Sequence, residues 1–404
     1  MKSITQAKFS TYEKRAISIL VLLQFTLVLD FMVMAPLGAV LMPTFGIAPQ
    51  QFSLLVASYA LSACFSGFFS SGFADSFERK KYLTWIYLGF LAGTFSCAVA
   101  NSYETLLAAR MITGLFGGII ASLIQTLITD IFPEGKRGQV IGFTQISFGF
   151  CQAFALPIAL YFSNRWSWHA PFLMVVALGI LLLGYILVEL RPIRDHLALQ
   201  KHEGHWTTLG RLLRTESNRW GFLGTLIMTL GGYLLMPFTS AYNVNNLGMD
   251  IQMLPYFYLC CGVSVILMAP SLGKIADRVG NFRVYVFGVF IAAGMALFYT
   301  QLTQANFALM TATNILVFLG FFSIIIPFQS MVTRLPSPGQ RAGFMSITAS
   351  LQQLGGGISV LIAGSIITKD AAGKLQNFPR IGYALAAILA ASFFVTRKIN
   401  SRLR

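Results

Sequence analysis

Gly72-Phe-Ala-Asp75-Ser-Phe-Glu-Arg79-Lys80-Lys81 and, about two hundred residues later, Gly273-Lys-Ile-Ala-Asp277-Arg278-Val-Gly280-Asn-Phe-Arg283 are two versions of one pattern. Each is a short polar stretch that directly follows a long apolar run. A second echo repeats at a similar distance, Pro133-Glu-Gly-Lys-Arg137-Gly138 against Pro338-Gly-Gln-Arg341-Ala-Gly343. Two polar signals recurring in the same order mark a chain built as two similar halves. Parallel repeats of apolar helices are a transporter architecture, with the solute site between the halves near mid-membrane.

Composition fixes the solvent. The chain has 404 residues, 56% hydrophobic and 11% charged, with a mean hydropathy of +0.69. A soluble domain carries roughly 25% charged residues, so the bilayer must serve as solvent for most of this chain. At ~20 residues per crossing, about twelve helices fit with short loops, and a separate catalytic domain does not. Apolar runs fall at residues 16–40, 52–72, 82–101, 105–131, 139–162, 168–190, 220–242, 253–276, 282–303, 307–332, 343–368 and 382–395. The expected fold is therefore an all-α polytopic membrane protein. Its halves are expected at 1–190 and 220–404, joined by a polar linker at 191–219.

The net charge of +15 is distributed as a membrane topology signal, not as a nucleic-acid surface. Lys14 and Arg15, Arg79 to Lys81, Lys136 and Arg137, Lys274 and Arg278, and Arg397 to Arg404 all fall on one side if each run crosses once. The opposite loops hold Arg165, Lys369, Lys374 and Arg380. The positive-inside rule then places both termini in the cytoplasm of a cell whose inner membrane holds the chain. The first apolar run is too long for a cleavable signal. The five cysteines sit in apolar runs without a CxxC, so neither a disulfide framework nor a metal site is expected. No nucleotide-binding or hydrolase motif is present, and no cofactor is expected.

Ionisable groups inside hydrocarbon are costly and mark function. Asp30 and Arg110 lie well inside apolar runs. Counting ~1.5 Å per residue from the outer ends puts them roughly 15 Å and 8 Å deep, a gap an arginine side chain can bridge if the first and fourth spans face each other. The reading is a proton carrier, Asp30, whose protonation Arg110 governs; a fixed structural ion pair is the plainer alternative. Gly72, Asp75, Arg79, Lys80, Asp130, Arg137, Gly273, Asp277 and Arg278 at span ends read as conformational latches, with Asp130 and Arg137 as one pair. Gln24, Tyr59, Gln125, Gln145, Gln152, Tyr233, Tyr242, Asn243, Asn314, Phe328, Gln329 and Gln352 are candidates for the solute cavity. Each polar group in a span needs a partner or a watery cavity.

These residues carry a resemblance. The repeated Gly-x-x-x-Asp connector resembles the signature of the major facilitator superfamily, nearly complete in its second copy. In the first copy Ser76 and Glu78 stand where Arg and Gly are usual. Leu106-Leu-Ala-Ala-Arg110-Met-Ile-Thr-Gly114-Leu-Phe-Gly117-Gly118 is similar to the arginine-bearing fourth span of proton-coupled members. Leu29-Asp30-Phe31-Met32-Val-Met-Ala-Pro36-Leu37 and Trp168-His169-Ala-Pro171-Phe172 resemble the drug:proton antiporter-1 family, near its sugar-efflux and arabinose-polymer-exporter group. The resemblance implies a proton-coupled exporter of a small organic solute, such as a drug-like compound or sugar, working as a monomer in the bilayer. Leu156-Pro157-Ile-Ala-Leu160-Tyr161 keeps only the proline of the glycine-rich span-five pattern of such antiporters. An importer or facilitator, including one for lipid-like solutes, therefore stands as the second reading, and a non-transporting membrane sensor as a third.

Overall fold

The computed structural model describes residues 9–73, 77–193, 210, 212–337 and 341–403. Among these, eleven helical stretches are long and apolar enough to cross a membrane. One further helix, Arg79–Ala98, has 20 residues, and its first turn spends three of them on Arg79, Lys80 and Lys81. The expectation of about twelve membrane helices holds.

The first bundle contains α1 (Thr11–Val33), α2 (Gly38–Phe45), α3 (Pro49–Phe73), α4 (Arg79–Ala98), α5 (Tyr103–Ile131), α6 (Glu134–Phe150), α7 (Leu156–Arg165) and α8 (Ala170–Glu189). The second contains α9 (Glu216–Gly232), α10 (Thr239–Asn245), α11 (Leu254–Val279), α12 (Asn281–Thr300), α13 (Phe307–Val332), α14 (Arg341–Ile366) and α15 (Phe378–Leu403). A two-stranded hairpin, β1 (Thr368–Lys369) and β2 (Leu375–Gln376), links the last two helices. The linker expected at 191–219 lies mostly outside the described residues.

Local chemistry sets the ends. Ser10 and Glu13 form a capping box on α1, and the Glu78 carboxylate accepts the Lys80 and Lys81 main-chain N–H groups at the start of α4. Such caps satisfy donors that a helix leaves unpaired. Two crossings are broken where the sequence reading had single spans. The first is interrupted at Met34–Leu37, around Pro36, between α1 and α2. The seventh is interrupted after Gly232 and resumes through a 3₁₀ turn, Met236–Phe238, that contains Pro237. A third irregularity is the π-helical turn Cys151–Ala155 between α6 and α7. Pro157 has no N–H for the Ala153 carbonyl and its ring crowds it, so the turn widens there.

The bundles meet along two seams. Helix α3 lies along α14, and α6 and α7 lie along α11. Glycines make both approaches close. A Cβ on Gly364 would stand 2.0 Å from Ser53 Oγ, and one on Gly262 2.3 Å from Ala153 Cα. Within the first bundle, a Cβ on Gly118 would stand 2.1 Å from the Ala63 carbonyl oxygen.

Three hydrogen bonds between side chains of one bundle and main chain of the other sit at the end remote from the termini. Gln50 Nε2 donates to Ile367 O at 3.3 Å, Asn164 Nδ2 to Ile251 O at 3.0 Å, and Ser240 Oγ to Ala35 O at 3.2 Å. At the other end the basic clusters pair within their own bundle: Lys136 with Glu13 at 2.8 Å, Arg15 with Glu189 at 2.5 Å, and Arg402 with Glu216. The described arrangement is thus tied at the remote end by three such bonds, and further along the same seam Cys64 of α3 meets the Leu354 main chain of α14.

Because the Gly118 contact is with backbone, it cannot yield by rotating a side chain. Gly118→Val is expected to cost about 1–3 kcal/mol by overpacking and to lower the unfolding temperature of detergent-purified protein. Gly138→Ala, with nothing within 4 Å, should leave that temperature equal or slightly higher, since Ala favours helix over Gly.

Candidate functional site

Asp30 and Arg110 meet. Arg110 Nη1 donates to Asp30 Oδ2 at 2.8 Å and to the Asp30 carbonyl oxygen at 3.3 Å. Thr94 Oγ1 donates to the other carboxylate oxygen, Oδ1, at 3.2 Å. Both charged side chains are fully buried, at 0% exposure. Three helices build this contact: α1 supplies the acid, α5 the base and α4 the hydroxyl.

Small residues allow the convergence. A Cβ on Gly93 of α4 would lie 2.7 Å from Thr113 Oγ1 of α5, so the glycine lets α4 bring Thr94 up to the pair. On α5, Gly114 and Gly117 follow Arg110 by one and two turns. Side chains there would strike the Tyr59 main chain at 2.4 Å and the Tyr59 hydroxyl at 2.5 Å. Their absence lets Tyr59 of α3 lie over the guanidinium, with the Arg110 Cζ 4.6 Å from the ring centroid. A cation on an aromatic face away from water gains about 2 kcal/mol.

The pair is sealed by aromatic rings that bridge the bundles. Phe31, next in sequence to Asp30, contacts Tyr59 at 5.5 Å between ring centroids. It also contacts Tyr233 at 5.8 Å, across the bundle boundary. Tyr233 is the residue at which the seventh crossing breaks, and it packs beside Gly356 of α14. The rings therefore connect the buried charge pair to the interface that any relative movement of the bundles would disturb.

One feature is electrostatically incomplete. Among the described residues Arg110 Nε and Nη2 meet no oxygen acceptor, and Cys97 stands beside the guanidinium. Buried donors without acceptors are costly, and guanidinium donors more so. The base holds the acid through one nitrogen, Nη1.

The other expected residues separate into groups. Gln24, Gln125, Gln329 and Gln352 are half-buried, and Gln145 is exposed on α6. Gln145 precedes by one turn Gly149, which faces Ile266 of α11, so it lies on the α6 face turned to the second bundle. Gln152 is buried in the π turn, against Gly262. Tyr242 and Asn243 belong to packing at the remote end. The break before Met236 starts a new short helix that turns them toward Tyr299 and Phe378. Tyr299 Oη donates to Asn243 Oδ1 at 2.8 Å, and Tyr242 stacks on Phe378 at 3.8 Å. Asn314 returns its amide to the Met310 carbonyl at 3.1 Å, and Phe328 is buried against Gly224.

Among the latch residues, Arg79 Nε donates to Asp130 Oδ2 at 2.9 Å. The expected partnership of Asp130 with Arg137 is replaced by this one. Arg137 instead donates to the Phe132 and Thr129 carbonyl oxygens at 2.9 Å and 3.0 Å. It sits just past the end of α5 and satisfies that helix's last carbonyls. Lys80 Nζ does the same for Leu187 of α8, at 2.8 Å. Gly72 lies on α3 and Asp75 lies outside the described residues. Gly273, Asp277 and Arg278 lie in the last two turns of α11, where Asp277 and Arg278 are exposed. Thr94, Phe31 and Gly93 were not singled out as site residues from sequence. A lone Thr or Gly in an apolar run has many packing roles, and only the position of Phe31 beside Asp30 offered a signal.

Comparisons with known proteins agree on the class. The Major Facilitator Superfamily pattern matches residues 20–360. The bicyclomycin resistance protein homolog of Haemophilus influenzae is 25% identical, covering 88% of this chain and 90% of that protein. The quinolone resistance protein NorA of Staphylococcus aureus is 22% identical over 90% of this chain and 92% of its own. Among solved structures, the D-xylose-proton symporter superposes with a TM-score of 0.77 at 16% identity, covering 95% of this chain and 97% of that one.

The pair makes a sharp energetic prediction. Removing one partner of a buried ion pair costs about 3–5 kcal/mol, whereas replacing both by apolar residues is often neutral. Asp30→Leu and Arg110→Leu should each destabilise the purified protein, and the double variant should be more stable than either single. Additive losses in that double-mutant cycle would show that the two side chains are not energetically coupled.

Proposed function

Since the chain belongs to the Major Facilitator Superfamily, we propose that it exports a small organic solute in exchange for protons, with Asp30 as the proton carrier. It is a multi-pass membrane transporter and not an enzyme. The observation that carries the finer reading is the fully buried Asp30–Arg110 pair, joined through Phe31 and Tyr233 to the bundle interface.

A cation in contact favours a carboxylate; a desolvated carboxyl that loses its cation favours protonation. Arg110 bonds Asp30 through Nη1, which leaves Nε and Nη2 to face another acceptor. An anionic or carbonyl-bearing solute, or water, entering beside the pair competes with Asp30 for the guanidinium. Asp30 released from Arg110 takes a proton; Asp30 regaining Arg110 gives it up. Rocking of the bundles moves Tyr233 relative to Phe31 and decides which side of the membrane supplies that proton.

The positive-inside rule makes the basic end cytoplasmic, so the described arrangement is closed to the outside. Gln24, Gln125, Gln145, Gln329 and Gln352 are the polar positions left for the solute path in this state. The Arg79–Asp130 contact ties α4 to α5 at the cytoplasmic side. We assign the protein to the inner membrane as a monomer, since one chain supplies both bundles. Export is favoured by the relatives, several of which are resistance proteins. Facilitated diffusion is the second reading, favoured by Leu156 and Leu160 at positions where antiporters of the resembling family carry glycine.

Everted vesicles with an acidified interior test the proposal. Adding the right solute should release protons from wild-type vesicles, and Asp30→Asn should show no solute-dependent release. Release that persists in Asp30→Asn would overturn the carrier assignment. Labelled-solute movement without any proton release would overturn antiport in favour of facilitated diffusion.

A further inference from the structure

Helices α1 and α8 run antiparallel and meet in a graded ladder. At the basic end Arg15 pairs with Glu189 at 2.5 Å. One turn deeper the Ser18 and Tyr185 hydroxyls share a hydrogen bond of 2.9 Å. Deeper again the seam opens into a groove of about 210 Å³, lined chiefly by Leu22 and Phe25 on one wall and Leu178, Leu181 and Leu182 on the other. Leu22 is 41% and Leu181 73% exposed, so the groove faces outward from the bundle. Charge, then hydroxyl, then apolar wall follow one another along the stripe from Arg15 to Phe25. At ~1.5 Å per residue that stripe is about 15 Å long, half the thickness of a bilayer's hydrocarbon.

We infer that this seam is a binding site for one anionic phospholipid, with its phosphate at Arg15 and one acyl chain in the groove. Three arguments select that occupant. The depth covers one leaflet and no more. The groove is smaller than the ~300–1,000 Å³ of drug-sized pockets, and it is apolar and open to the bilayer, which suits a chain segment and not a solute. The charges at its mouth are mostly positive. Lys14 and Arg191 are exposed, the Arg15 side chain is 52% exposed, and Lys80 lies at the end of α8 through Leu187. The acids nearby are Glu189, paired with Arg15, Glu13, which Lys136 already holds, and Glu78, which accepts the Lys80, Lys81 and Ile193 main-chain N–H groups. An anionic headgroup beside such a basic cluster gains about 1 kcal/mol per Lys or Arg. The hydroxyl pair lies at the depth where a glycerol ester would accept hydrogen bonds. The inference does not rest on the direction or coupling of transport.

Native mass spectrometry and thermal unfolding of detergent-purified protein test it, with phosphatidylglycerol and phosphatidylcholine of matched chains as probes. Phosphatidylglycerol should be retained and should raise the unfolding temperature, and phosphatidylcholine should do so less. Arg15→Gln should weaken phosphatidylglycerol about fivefold and remove its advantage. It lowers the lipid-free unfolding temperature as well, so the readout is the lipid-induced increment. Leu181→Trp, which fills the groove mouth from an exposed position, should reduce retention of the lipid. Equal effects of the two lipids, or an undiminished increment in either variant, would overturn the site.

Discussion

A carboxylate and a guanidinium held 2.8 Å apart, both without exposed surface, are the constraint around which the first bundle is arranged. Taking two ions out of water costs several kcal/mol each, and their attraction repays this only with good geometry and further hydrogen bonds. The bundle supplies what it can: the Thr94 hydroxyl on the acid and the Tyr59 ring under the base. Each requires a close helix approach, and each approach requires a glycine, Gly93 for Thr94 and Gly114 with Gly117 for Tyr59. The glycine-rich face of α5 is thus explained by the charge it must accommodate.

The same pair explains why the bundle boundary matters. Asp30 lies one turn before the break at Met34–Leu37, and Tyr233 starts the corresponding break in the second bundle. Phe31 joins them. Beyond the breaks, the half-crossings α2 and α10 come together, with Ser240 bonded to the Ala35 carbonyl and Phe52 packed on Phe238 at 5.9 Å. A crossing broken in the middle can tilt its two parts separately. The breaks lie close to the buried charge pair, Met34–Leu37 one turn after Asp30 and Tyr233 in contact with Phe31.

Much of this was legible in the sequence, for physical reasons that also mark the limit. Span number follows from hydropathy, because lipid admits few alternatives to a helix. Asp30 and Arg110 stand out because charge in hydrocarbon is rare; depth counting put them at bridgeable levels, and only the arrangement implied by the resemblance set their spans side by side. The breaks at Pro36 and Pro237 and the π turn before Pro157 were not read. A proline in a membrane helix is compatible with a kink, a break or a straight helix, depending on neighbours that periodicity does not reveal. Asp130 was matched to Arg137 by nearness in sequence. The fold instead brings Arg79 from the start of α4 to Asp130 and leaves Arg137 to the carbonyls at the end of α5. Tyr242 and Asn243 were read as cavity residues by depth, and the break before them sends them into packing.

The central claim is that Asp30 changes protonation during the cycle. Infrared difference spectroscopy of the reconstituted transporter, recorded on solute addition at constant pH, reads this directly. The account predicts a protonated-carboxyl band that appears or disappears with solute and is absent from the Asp30→Asn variant. A wild-type spectrum without a carboxyl change, from protein shown to bind and move the solute, would contradict it and leave Asp30–Arg110 as a fixed structural pair.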